Sequence, residues 1–335
     1  MNVGQIKQKL QSEQYEFLRT NEHLGNNIIL LTTGGSHAYG TNVETSDLDI
    51  RGIAMEREKE ILGLSSFEAF ENKETDTTIY GLRKIVGLLL DCNPNTIEMM
   101  GTKDEHLFVV SEEGKMLRDN VQIFLSRRAV HSFGGYATAQ LRRLQNALAR
   151  DSYPQEEKER HILNSVLIQM EHLQRHYTNF TKNGSINLYI DKSDKEDIES
   201  EIFMDIELKH YPLRDFKNIY SEMSNVVKDY SKLNHRNKKK DKLHLNKHAM
   251  HLIRLLIMGT ELLEGKVINT YRDKDKEMLL DIRNSKYLYE EIFEMVDEYE
   301  SKFKYAAENT ELPQMPDHSK AEELLIEISR RRLLK

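Results

Sequence analysis

At 335 residues the chain is longer than one typical domain and allows two, each able to bury its own core. Charged residues make up 31% and apolar ones 39%, with a mean hydropathy of −0.64 and no run near the roughly 18–20 apolar residues that a helical membrane span requires. The net charge of −7 argues against a broad cationic footprint for nucleic acid, and the single cysteine, Cys92, excludes an internal disulfide or a thiolate zinc cluster within the chain. With no signal-peptide core in Met1 to Leu10, the expected compartment is the cytoplasm. Cys92 reads as a buried small hydrophobe.

Val3 to Leu24 carries Ile6, Leu10, Tyr15, Phe17 and Leu18 at helical spacing, and reads as an amphipathic helix bracing the sheet. Ile28 to Thr33 is short, branched and apolar, as a buried strand should be, and Gly34-Gly35 stops it. The turn continues as Gly35-Ser36-His37-Ala38-Tyr39-Gly40-Thr41. A second strand follows with Ser46-Asp47-Leu48-Asp49-Ile50. Alternation on a strand sends Asp47 and Asp49 to one face and Leu48 and Ile50 to the other. Two such carboxylates lie roughly 6–7 Å apart, a separation suited to divalent ions held between them and a triphosphate. The backbone N–H groups of Gly35 and Ser36, with the Ser36 hydroxyl, suit a phosphate. No Gly-Lys-Ser/Thr follows, so this is not a Walker A loop.

Gly-Ser, a short spacer and Asp-x-Asp on a strand resemble the DNA polymerase beta-type nucleotidyltransferase superfamily. More narrowly, Gly34 to Thr41 with Ser46 to Gly52 looks like the YcgL-like predicted nucleotidyltransferases associated with RNA repair. Leu82 to Leu90 with Asn93-Pro94-Asn95, Phe133 to Tyr136, and Lys247 to Leu255 extend the likeness over most of the chain. The resemblance implies an α+β fold: a small mixed sheet as catalytic core and a larger, mostly α-helical C-terminal lobe. It also implies Mg²⁺ or Mn²⁺ as cofactor and a nucleoside triphosphate, ATP among the candidates, as donor. The acceptor it suggests is a tRNA-like RNA 3′ end. A protein hydroxyl, as in toxin-antitoxin nucleotidyltransferases, and a catalytically silent RNA- or protein-binding module are the alternatives.

Thr75 to Tyr80 reads as the next strand, with Asp76 near its start. By resemblance Asp76 completes the metal site with Asp47 and Asp49, ahead of the neighbouring Glu74 and Glu71. His37, Tyr39 and Ser46 join Gly35 and Ser36 as nucleotide-binding candidates. Leu82 to Leu90 is helical, and Asn95 reads as the N-cap of the next helix, with Glu98 in its capping box. The catalytic domain is expected over 1–110, and a mainly helical substrate-binding domain over 111–335.

Helices are expected over Glu112 to Arg128, Ala129 to Arg150 and Gln155 to Phe180, the second interrupted by Phe133-Gly134-Gly135-Tyr136. Ile186 to Ile190 suggests a short strand and Asp191 to Glu201 a solvated loop. The basic run His235 to Lys240 reads equally as a solvated loop or a phosphate contact. On the helix His244 to Leu263, Lys247, His251 and Arg254 fall at i, i+4 and i+7, so all three project from one side and could meet a triphosphate. No Glu directly follows His244, which argues against a zincin-like His244/His248 site. A short strand at Val267 to Tyr271 and helices over Asp275 to Arg283, Tyr287 to Ala307 and Lys320 to Leu334 complete the chain.

Overall fold

A computed structural model describes residues 1–152, 160, 163, 184–194, 200–236, 242–265 and 268–334. The chain divides into two compact units, one of residues 1–142 with 242–335 and the other of residues 143–241. The sheet therefore shares its unit with the C-terminal helices, whereas the sequence reading had placed a boundary after residue 110. The helix expected over Gln155 to Phe180 lies outside the described residues, apart from positions 160 and 163. So do 195–199 of the acidic run, 237–240 of the basic run, and residue 267.

The first unit is built on a mixed five-stranded sheet. Strand β1 (Ile28–Thr33) runs antiparallel between β2 (Ile50–Ala54) and β5 (Leu107–Val110). Beyond β2 lie β4 (Thr77–Gly81), parallel to it, and β3 (Ala69–Asn72), antiparallel to β4, for an order of β3-β4-β2-β1-β5. All six residues of β1 are buried, as its continuous apolar run requires. A core cluster joins Leu31, Ile50, Ala54 and Ile79 of the sheet to Ile6, Leu10, Tyr15, Leu18 and Leu24 ahead of it.

That N-terminal segment is not one helix. It forms α1 (Val3–Leu10), a single 3-10 turn and α2 (Phe17–Thr20). Arg19 donates to the carbonyls of Leu10 at 3.0 Å and Ser12 at 3.2 Å, supplying acceptors at the end of α1 with the partners that ended helices lack. The apolar residues expected at helical spacing still pack toward the sheet, from separate short turns and not from one continuous helix.

Helix α3 (Gly35–Tyr39) follows β1 directly, and α4 (Glu58–Ile61) follows β2. Helix α5 (Leu82–Leu90) follows β4 as expected. In α6 (Pro94–Met100) the N-cap is Asn93, whose side chain accepts from Asn95 N, with Pro94 in the first helical position. Asn95 is therefore inside the helix, and Glu98 is not a capping residue. Helix α7 (Glu112–Asp119) ends where the Asn120 amide donates to Met116 O at 2.9 Å, well short of Arg128. Helix α8 (Arg128–Ser152) passes through Phe133–Tyr136 without a break. A Cβ on Gly134 would meet the Phe303 ring at 3.4 Å, an ordinary van der Waals contact, and one on Gly135 would meet nothing within 4 Å, so packing does not demand either glycine.

The second unit takes in the end of α8 and three further elements among its described residues. These three are the hairpin of β6 (Gly184–Lys192) with β7 (Ser200–Leu208), and α9 (Leu213–Arg236). The first unit is completed by α10 (Lys242–Leu263), α11 (Lys276–Arg283), α12 (Tyr289–Asn309) and α13 (His318–Leu333). Residues 268–271 form no strand. Among the described residues no helix is long and apolar enough to cross a membrane.

Candidate nucleotide and metal site

A cleft of about 430 Å³ opens within the first unit, over the ends of β1, β2 and β4. Its lining includes Gly35, Ser36, Tyr39, Ser46, Asp47, Asp49, Asp76, Lys247, His251 and Arg254, all named from the sequence. His37 is not among the lining residues. It is a buried residue of α3 with Nε2 unpartnered, and burial holds its imidazole below the usual histidine range. Glu71 and Glu74, the alternatives to Asp76, also do not line the cleft.

Asp47 to Asp49 do not belong to β2, which begins at Ile50; they form the extended segment leading into it. The alternation nevertheless holds, because Leu48 and Ile50 are buried while both carboxylates reach the cleft. Gly34 N donates to Asp49 O at 2.9 Å and Ile50 N to Asp76 O at 3.1 Å, so the backbone brings the start of α3, Asp49 and Asp76 together. Asp76 lies at the end of the turn between β3 and β4, at a positive φ of 44°. That conformation is tolerated by aspartate better than by most residues.

Asp49 and Asp76 share a hydrogen bond. Burial, that bond and the neighbouring charge push the Asp49 carboxyl up to about 6, although Arg51 pulls it the other way. Burial also raises Asp76, but the bond from Asp49 and the Arg51 guanidinium prevail and leave it below the ordinary carboxylate range. Two adjacent carboxyls that cannot both ionise cheaply are a donor set in want of a cation. Arg51 meets part of that need: one terminal nitrogen donates to Asp49 Oδ1 at 3.3 Å and to Asp76 Oδ1 at 3.1 Å, and the other to Asp76 O at 2.6 Å. Among the described residues no three acidic, imidazole or thiol groups are gathered tightly enough to enclose one ion. Asp47 is exposed and lines the same cleft.

Gly35 fits closely against this pair. Its φ is +54°, and a Cβ there would lie 2.0 Å from Asp49 Oδ2. The expected glycine turn is thus the first residue of a short helix that touches the carboxylate. Gly40, with φ +74°, ends α3 in the left-handed conformation against the Tyr271 ring.

The floor of the cleft is a buried network. Tyr39 Oη donates to one oxygen of Glu98 and the Arg254 guanidinium to the other, and Arg254 lies 3.6 Å from the centre of the Tyr39 ring. Arg254 and Glu98 are each about 5% exposed. A cation chosen from helical spacing as a phosphate contact is therefore already paired. Lys247 is exposed at the rim, with Asp49 and Asp76 within reach of its field. His251 also lines the cleft, and burial together with Arg254 and Lys247 holds its imidazole well below the usual histidine range.

Arg51, Gln140 and Arg283, given no role from the sequence, and Asn95, read there only as a helix cap, also line the cleft. For Arg51 a signal existed: two residues beyond Asp49 on an extended chain, it shares the face of Asp47 and Asp49.

No curated protein and no solved structure matches the chain. The family model described as the RNA repair pathway DNA polymerase beta family matches residues 6–327, both the sheet with its acidic cleft and the helices that complete it. The chain belongs to that family, a branch of the polymerase beta-type nucleotidyltransferases.

Proposed function

We propose that the protein is a divalent-metal-dependent nucleotidyltransferase that moves a nucleoside monophosphate from a nucleoside triphosphate to the 3′ hydroxyl of an RNA. The observation that carries this reading is the Asp49–Asp76 pair, set against Gly35 in a cleft with cations on its other side. Two carboxyls set this close, with Asp49 partly desolvated, repel when both are ionised, and an ion that joins them best explains their pairing.

In this reading Asp47, Asp49 and Asp76 hold Mg²⁺ or Mn²⁺. When bound, the ions would offset charge on the phosphate oxygens and favour ionisation of the attacking hydroxyl. Asp76, held ionised by Arg51, accepts the hydrogen bond of the acceptor hydroxyl and orients it for in-line attack on the α-phosphate. The acceptor oxygen gives its proton to the Asp76 carboxylate and bonds to phosphorus as the bond to the bridging oxygen breaks, and pyrophosphate leaves with that electron pair. Ser36 at the head of α3, Ser46 and Lys247 bind the triphosphate, and Tyr39 and His251 shape the nucleotide site. Arg254 serves this site from below, by fixing Glu98 and Tyr39.

The test is incubation with each α-labelled nucleoside triphosphate and Mg²⁺ or Mn²⁺, with separate pools of RNA and protein and Asp49→Asn as control. Label in RNA, lost in Asp49→Asn, is the expected result. Label in protein alone would redirect the reading to protein modification, and no transfer under any condition would favour a silent binding module.

A further inference from the structure

Three arginines line the cleft, and their charges are spent differently. Arg51 is held by Asp49 and Asp76, and Arg254 by Glu98. Arg283, the last residue of α11, has no carboxylate partner among the described residues. One terminal nitrogen donates to Thr41 O at 2.7 Å and the other to Ser46 Oγ at 3.0 Å. Those two bonds tie α11 to the loop of residues 41–46 immediately before Asp47. They occupy two of the five N–H donors of a guanidinium. The group is half-buried, and burial lowers its pKa with no opposing carboxylate. A partly desolvated cation that faces a cleft with unused donors and no counter-ion is an anion site.

We propose that Arg283 is a phosphate-binding residue of this cleft, fixed to the loop by Thr41 and Ser46 while its remaining N–H groups engage the anionic oxygens of a polyphosphate. The proposal rests on the nucleotidyl-transfer reading above. It moves the guanidinium contact from Arg254, whose charge is matched, to Arg283, whose charge is not. Lys247, exposed across the same cleft, supplies the second positive charge. The loop that carries Asp47 is then braced by the residue that receives the phosphates.

The test uses the full chain and inorganic tripolyphosphate as probe, with binding measured by titration calorimetry in the presence of Mg²⁺. Wild type should bind. Arg283→Gln should bind about tenfold or more weakly, as expected for loss of a charge-assisted contact, and Arg283→Lys should fall between them. Arg331→Gln on the exposed face of α13 controls for net charge and should bind as wild type. A second measurement needs no variant: phenylglyoxal modification of Arg283 in wild type, read by peptide mass spectrometry, should be suppressed by tripolyphosphate and not by adenosine. Tripolyphosphate that binds wild type and Arg283→Gln equally, or that leaves Arg283 unprotected, would overturn the assignment of Arg283 alone. Failure of wild type to bind tripolyphosphate at all would overturn the nucleotide reading beneath it.

Discussion

Replacing Gly35 with alanine tests the closest contact in the site. The residue sits at φ +54°, where a side chain costs about 1–2 kcal/mol relative to glycine. The new Cβ would stand 2.0 Å from Asp49 Oδ2 and 2.8 Å from Asp49 Cγ, so the carboxylate must rotate away. Rotation takes it from Arg51, 3.3 Å distant, and from Asp76, with loss of a charge-assisted bond worth about 1.5–3 kcal/mol. Reduced freedom of the unfolded chain returns about 0.4–1 kcal/mol. The expected net effect is a destabilisation of about 2–4 kcal/mol, with the cation site disrupted as well. Urea unfolding and Mn²⁺ titration followed by electron paramagnetic resonance measure the two effects. The companion substitution Gly87→Ala, on the exposed side of α5 with nothing within 4 Å of its Cβ, should instead stabilise by about 0.5–1 kcal/mol. A Gly35→Ala protein with wild-type stability and wild-type Mn²⁺ affinity would refute the reasoning.

Other expectations follow from the same geometry. Glu98→Ala leaves Arg254 buried and unpaired and should cost about 3–5 kcal/mol, whereas Glu98→Met with Arg254→Met should cost less than either single change in urea unfolding. Divalent binding must expel the proton that Asp49 shares with Asp76, so Mn²⁺ affinity should fall as pH drops through about 6. Arg51→Ala removes the charge that lowers Asp49, and should move that midpoint to higher pH in the same titration. For His251 the folded pKa is depressed, so its contribution to stability is complete above the unfolded value near 6.5 and is lost as pH falls below it. His251→Gln should therefore flatten the acid side of the stability profile by up to about 1.4 kcal/mol per pH unit, as read by denaturant melts.

The parts of the fold legible in the sequence were those with local signals. Unbroken apolar character marked β1, and helical spacing marked α5 and the face of α10 that carries Lys247, His251 and Arg254. Alternation placed Asp47 and Asp49 on one side even though the strand itself starts one residue later. Elements without a sequence signal escaped: β3 spans only four residues, and most of β7, with Ile202, Met204 and Ile206 on one face, lies just beyond the acidic run, over residues for which no strand was expected. Most of what was missed in the site depends on pairings no local pattern encodes. Glu98 meets Arg254 across 156 positions and Ser46 meets Arg283 across 237. A cation read from helical spacing can be assigned a direction but not a partner, which is why Arg254 looked free and Arg283 went unnoticed.

The central claim is that this cleft transfers a nucleoside monophosphate and releases pyrophosphate. The most direct measurement compares α- and γ-labelled nucleoside triphosphate in the presence of Mg²⁺ and an RNA with a free 3′ hydroxyl. The account predicts that RNA takes up α-label and never γ-label, that γ-label is recovered as pyrophosphate, and that Asp49→Asn abolishes both. Appearance of γ-label in RNA, or α-label uptake undiminished in Asp49→Asn, would contradict it.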